Sequence, residues 1–135
     1  IRIRRHGLSI FLPRVQTGRR SLIAEEFRNA GARVIEVPAY ESKCPDKIPE
    51  KTLKAIQEKI IDAIIFSSGK TVKNTAYLLE KHFGKHWLSL IDEVKLFSIG
   101  PQTSIVCKEI FGRVDREASK YTFEGLLSVV IDNLA

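Results

Sequence analysis

Five short, mostly apolar runs, each followed by a stretch of helical spacing, constrain the fold of this 135-residue chain more than any other feature. Leu8-Ser9-Ile10-Phe11-Leu12 is the first run and ends at Pro13. Arg33-Val34-Ile35-Glu36-Val37 is the second, cut by Pro38. Asp62-Ala63-Ile64-Ile65-Phe66 is the strongest, Val94 through Ile99 is the fourth, and a short, weak run begins at Val114. Runs of this kind, without strict polar alternation, suit strands buried on both faces of a parallel sheet.

Between the runs the spacing changes to that of helices. Residues 19–30 place Leu22, Ile23, Phe27 and Ala30 on one side and Glu25, Glu26 and Arg28 on the other, and Gly31 stops the helix. Pro49 or Glu50 opens a short helix through about Glu58, with Leu53 and Ile56 inward. Further helices are expected from about Thr71 to Lys81, around Trp87 to Ile91, and from Thr103 to Ile110, the last ended by Gly112. Thr122 caps a final helix whose buried stripe is Leu126, Leu127, Val130, Ile131 and Leu134. Residues 39–49 carry Pro45 and Pro49 without periodicity and read as a loop or crossover. Alternation of this kind predicts an α/β protein: a doubly wound, parallel, five-stranded sheet of the flavodoxin-like type, with helices on both faces.

Composition narrows the function classes. No apolar run approaches the roughly 18 residues of a membrane span, and residues 1–20 lack the apolar core of a signal peptide. Cys44 and Cys107 form no CxxC pair, so a reducing cytoplasm or organelle matrix is expected. The chain starts at Ile1 and contains no methionine, which points to a piece of a longer chain. The net charge of +6 resides in Arg2, Arg4, Arg5, Arg14, Arg19 and Arg20, since residues 1–20 hold no acid and the remaining charges cancel. Those arginines are either a basic entry segment or a patch for a polyanion. A nucleic-acid module using them is disfavoured, because no aromatics interleave with them and no known motif is present.

Ligands of doubly wound sheets bind beyond the carboxyl ends of the strands. There the sequence puts Pro13-Arg14, Pro38-Ala39-Tyr40, Ser67-Ser68-Gly69-Lys70-Thr71, Gly100-Pro101-Gln102-Thr103-Ser104 and Ser119-Lys120-Tyr121-Thr122. This set offers hydroxyls, helix N-termini, lysines and an arginine, and no aspartate, glutamate, histidine or cysteine. It suits anionic groups and neither a metal nor a pair of catalytic carboxylates. Ser68-Gly69-Lys70-Thr71 resembles the end of a P-loop, but Ile64 stands where that motif needs its first glycine. No GxGxxG occurs. His82 and His86 have zinc-like spacing, but Gly84 lies between them and no third ligand is near. A nucleophilic Ser67 or Ser68 would need a histidine that no strand-end loop supplies. Taken singly, both loops also read as plain helix caps and tight turns.

Several of these segments, taken in order, resemble the C-terminal half of the uroporphyrinogen-III synthase family. They are Leu12-Pro13-Arg14 with Gly18-Arg19 and Leu22; Gly31 through Tyr40; and Asp62 through Ser68 with Val72 and Asn74. Ile99 through Ser104, Gly112, and Tyr121-Thr122-Phe123-Glu124-Gly125-Leu126-Leu127 complete the set. Gly69-Lys70 departs from it, standing where many members have a proline and a small residue.

The resemblance implies a lyase without cofactor or metal that converts hydroxymethylbilane to uroporphyrinogen III in haem and other porphyrin biosynthesis. Two flavodoxin-like lobes would face each other across the substrate cleft. By position, Tyr40 matches a tyrosine that assists loss of the substrate hydroxyl, and Ser68 and Thr103 match hydroxyls lining the cleft. Ser67, Gly69, Lys70, Thr71, Gly100, Pro101, Gln102, Ser104 and Arg14 join them as expected substrate contacts. Residues 1–44 would complete one lobe and residues 45–135 form most of the other, with a crossing near residues 41–47. Alone, the two pieces either close into one domain or exchange between two copies, and the proline-bearing crossover favours exchange. The alternative within the same resemblance is a non-catalytic domain that binds a tetrapyrrole or regulates.

Overall fold

The computed structural model of the chain describes residues 9–14, 22–29, 31–38, 50–120 and 122–134. The strands are β1 (Ser9–Arg14), β2 (Arg33–Pro38), β3 (Ala63–Phe66), β4 (Lys95–Ser98) and β5 (Arg116–Glu117). The helices are α1 (Leu22–Asn29), α2 (Glu50–Gln57), α3 (Gly69–Phe83), α4 (Pro101–Phe111) and α5 (Phe123–Leu134), with a 3₁₀ segment at Gly84–Ile91. All strand pairs are parallel, and the order β2-β1-β3-β4-β5 is that of flavodoxin-like sheets.

The apolar runs form strands because both faces of the sheet are covered. Ile64 and Phe66 of β3 point, with Phe11 and Leu96, into a core roofed by α2, α3 and α4. Ala63 and Ile65 point the other way, with Ile10, Leu12 and Phe97, against Phe27 of α1 and Leu126 and Val130 of α5. Alternation along each strand thus feeds two cores, and each fully buried large side chain stabilises the fold by about 2 kcal/mol. Trp87 pins the 3₁₀ segment to the first core, its ring edge-on to Phe111 at 5.3 Å, while Phe111 lies 5.4 Å from Phe66.

Two aspartates close the ladders at the opposite edge, where the strands begin. Asp62 N–H donates to Ser9 O (2.8 Å) while its carboxylate accepts from Ser9 N–H (2.8 Å). Asp115 does the same with Leu96, at 2.9 and 2.7 Å. Each side chain completes one more rung where the backbone of the next strand has not yet started.

Several boundaries differ from the expected ones. β1 continues through Pro13 to Arg14, because it runs on along β2 (Pro13↔Val37, Arg14↔Pro38) beyond its last pair with β3, Phe11↔Ile64. A missing N–H on that unpaired side breaks no rung. α3 starts two residues earlier than Thr71. α4 starts at Pro101 rather than Thr103, with the proline in the first turn, where its lost donor does no harm. The weak run at Val114 becomes strand only at Arg116–Glu117. Gly31 closes α1 with φ +103°, its N–H donating to Arg28 O (3.0 Å), as expected of a left-handed cap. β1 pairs directly with β3.

Candidate functional site

A parallel sheet gathers the C-terminal ends of its strands on one edge, here at Arg14, Pro38, Phe66, Ser98 and Glu117. The strand order changes direction between β1 and β3, and the crevice of such a sheet opens at that point. Ser67 and Ser68 follow β3 directly there. Gly100 to Ser104 follow β4, one strand over, and the two loops are tied at their base by Ile99 N–H donating to Phe66 O (3.1 Å). Their helices also meet closely: a Cβ on Gly69 would stand 3.1 Å from Val106 Cγ2. The structure therefore brings Ser67, Ser68, Gly69, Lys70 and Thr71 to the same rim as Gly100, Pro101, Gln102, Thr103 and Ser104. Arg14 reaches that rim with its backbone. Its side chain and Tyr40 lie outside what the structure describes.

The two loops differ in chemistry. α3 is closed by a reciprocal capping box. Ser68 Oγ accepts from Thr71 N–H (3.1 Å), Thr71 Oγ1 accepts from Ser68 N–H (3.3 Å), and the Thr71 hydroxyl donates to Ser68 O (2.7 Å). Thr71 is fully buried, so it acts as a cap and presents no open hydroxyl. Ser67 and Ser68 remain half-exposed, and Lys70 is exposed.

α4 starts differently. Its N-cap is Gly100, which brings no side-chain cap, and Pro101 has no N–H. The first intrahelical bond is Ser104 N–H to Gly100 O (3.0 Å), which leaves the Gln102 and Thr103 amides as the open donors of the first turn. Pro101 and Gln102 are exposed. Thr103 is 2% exposed, and its hydroxyl has no hydrogen-bond partner among the described residues. An eleven-residue helix with an open N-terminus attracts a carboxylate through these amides and its dipole.

Beneath this turn lie two residues that the strand-end inventory omits. Ser98 ends β4, fully buried, and its Oγ is 2.6 Å from Ser104 Oγ, which donates to Glu117 Oε1 (2.7 Å) at the end of β5. The signal for Ser98 is a hydroxyl interrupting an otherwise apolar run. Glu117 gives none, because its strand is too short to register as periodic.

Elsewhere, His82 and His86 are exposed, and no group of three metal-ligating side chains occurs among the described residues. A groove of about 340 Å³ between α2 and the end of α3, lined by Glu50, Leu53, Lys54, Gln57, His82 and Phe83, shares no residue with the rim. No helix among the described residues is long and apolar enough to cross a membrane.

Cys107 is buried, and its thiol donates to Arg113 O (3.3 Å). Burial pushes its pKa up to about 11, against a smaller lowering by the nearby Arg113 charge. A raised pKa leaves little thiolate near neutrality. Iodoacetamide at pH 8 is therefore expected to leave Cys107 unmodified in the folded protein and to alkylate it in denaturant, with peptide mass mapping as the check.

Comparison with known proteins agrees with this geometry. The chain is 45% identical over 124 residues to a uroporphyrinogen-III synthase of Synechococcus elongatus, a match that covers 92% of this chain and 47% of that protein. Among solved structures, the uroporphyrinogen III synthase of the extremely thermophilic bacterium Thermus thermophilus superposes with a TM-score of 0.53 at 20% identity, over 95% of this chain and 50% of that one. The chain thus spans about half the length of the relatives it matches. Residues 4–128 match the family described as uroporphyrinogen-III synthase HemD, and since that match takes in β1 through the first half of α5, the chain belongs to the uroporphyrinogen-III synthase family.

Proposed function

We propose that this protein works as a cyclising lyase, closing hydroxymethylbilane to uroporphyrinogen III with inversion of ring D and loss of water, in the cytoplasm. The observation that carries this reading is the 45% identity to a synthase sustained over 92% of the chain. The rim supports it with chemistry fitted to a polycarboxylate. The open Gln102 and Thr103 amides of α4 would hold one substrate carboxylate. Ser67, Ser68 and Lys70 beside the β1/β3 crevice, with Arg14, would hold others.

The five-stranded sheet would be one wall of a two-lobed cleft. The facing wall would come from the other half of the family's length, or from a second copy exchanging residues 1–44. The substrate loses hydroxide readily and then cyclises, so the main task is to hold one folded conformation of a flexible polyacid. A phenol is the group at hand to protonate the departing hydroxyl, and Tyr40, two residues beyond β2, is assigned that part.

The test supplies freshly generated hydroxymethylbilane to the protein expressed from its complete reading frame and resolves the product isomers. Isomer III in excess of an enzyme-free control is expected. Product with the isomer composition of the control would overturn the reading in favour of a non-catalytic domain. Tyr40→Phe should lower kcat on the order of 10²-fold with KM nearly unchanged. Unchanged kcat removes Tyr40 from the chemistry.

A further inference from the structure

We propose that Glu117 is a positioning residue for the open N-terminus of α4, acting through Ser104 and Ser98. This rests on the synthase reading above, in which the Gln102 and Thr103 amides hold a substrate carboxylate.

Hydrogen bonding joins these groups in one line. The Ser104 hydroxyl donates to Glu117 Oε1 at 2.7 Å, and the single Ser98 hydroxyl proton lies between Ser104 Oγ at 2.6 Å and Gly100 O at 2.9 Å. Gly100 O also accepts from Ser104 N–H at 3.0 Å. The carbonyl of the N-cap residue is therefore held by the backbone of Ser104, whose hydroxyl Glu117 engages, with the Ser98 proton shared between that carbonyl and Ser104 Oγ. That carbonyl shares a peptide plane with Pro101, the first residue of α4. Fixing the plane fixes the direction in which the next two amides point.

Both serines are nearly water-free, at 0% and 3% exposure, so neither can exchange its protein partner for solvent. Glu117 is the exposed end of the line and the pair of Ser98 across the β4–β5 register. Its carboxylate takes the one Ser104 hydroxyl proton, so Ser104 Oγ can only accept from Ser98. It does not touch the ligand; it aims the groups that do. A carboxylate beside a site for carboxylates would otherwise repel them. Its engagement by Ser104 gives it a reason to stand there.

The distinguishing substitution is Glu117→Ala against Glu117→Gln. Glutamine keeps an oxygen acceptor for Ser104 without the charge; alanine keeps neither. Glu117→Ala should raise KM for hydroxymethylbilane about tenfold with kcat within about twofold, since an interaction shared by ground and transition states is lost. Glu117→Gln should restore KM. Native-state hydrogen exchange at the Ser104 amide should be about tenfold faster in Glu117→Ala and unchanged in Glu117→Gln.

A KM unaltered in Glu117→Ala overturns the proposal. So does a loss equal in both variants, which would mean a charge effect and no aiming of α4. If the unsubstituted protein forms no isomer III, the synthase reading is what fails. The exchange measurement then still decides whether Glu117 orders α4, and an unaltered Ser104 amide rejects that too.

Discussion

Arg113→Met is expected to lower the unfolding free energy by about 3 kcal/mol, measured by urea denaturation at neutral pH. One guanidinium holds three parts of the fold together. Its Nη2 donates to Ile91 O (2.9 Å) at the end of the 3₁₀ segment and to Val94 O (2.8 Å) just before β4, and its Nη1 donates to the Asp115 carboxylate. That carboxylate also accepts from Leu96 N–H, the rung that opens the β4–β5 ladder. Methionine keeps most of the stem volume and none of the donors. The half-buried carbonyls and carboxylate then lose partners at roughly 1–3 kcal/mol for each group left unsatisfied, less what water recovers. Lysine has the charge but no planar fork, so Arg113→Lys should recover only part of the loss. A change below about 0.5 kcal/mol for Arg113→Met would show that solvent replaces the whole network.

Gly125→Ala should cost about as much, for a different reason. Gly125 is buried in the first turn of α5, and its N–H donates to the capping Thr122 Oγ1 (3.0 Å). A Cβ built there would fall 2.3 Å from Lys120 O and 3.0 Å from Lys120 Cβ. The oxygen belongs to backbone and cannot rotate away. Either the Lys120 backbone moves or α5 shifts, and overpacking of this kind costs about 1–3 kcal/mol. Lys120 follows β5 at the rim, so the substitution should also weaken substrate binding, which a core-only defect would not. A Gly125→Ala protein with unchanged midpoint and unchanged KM would mean the Lys120 backbone is free to relax.

The same stretch shows why a sequence can disclose a segment and hide its reason. Tyr121 through Leu127 stands out as part of the family pattern, and Thr122 as a cap is legible from its place before an apolar helix. That Gly125 is glycine because the Lys120 carbonyl passes over it is a contact between loop and helix, with no periodic signature. Ser68 and Thr71 illustrate the converse. Either residue alone reads as a cap or as a ligand. Only their mutual geometry shows that Thr71 is fully engaged by Ser68 while the α4 turn stays open. α4 itself misleads by composition: Ile105 is 58% exposed, while Thr103, Ser104 and Cys107 face inward. The buried Ser104 hydroxyl there is stabilised by hydrogen bonds to Ser98 and Glu117 and not by apolar contact.

What the sequence by itself determined is the succession of strands and helices and the edge on which the loops lie. Apolar runs and helical spacing are local properties, and parallel order follows from alternation through the handedness of crossovers. The tertiary structure alone decided which loop is capped and which is open, and which side chains stand behind them. Those outcomes depend on atoms brought within about 3 Å from distant positions, such as Ser98, Ser104 and Glu117. Hydrogen-bond geometry at that range is set by packing, and packing is not written in the spacing of any one segment.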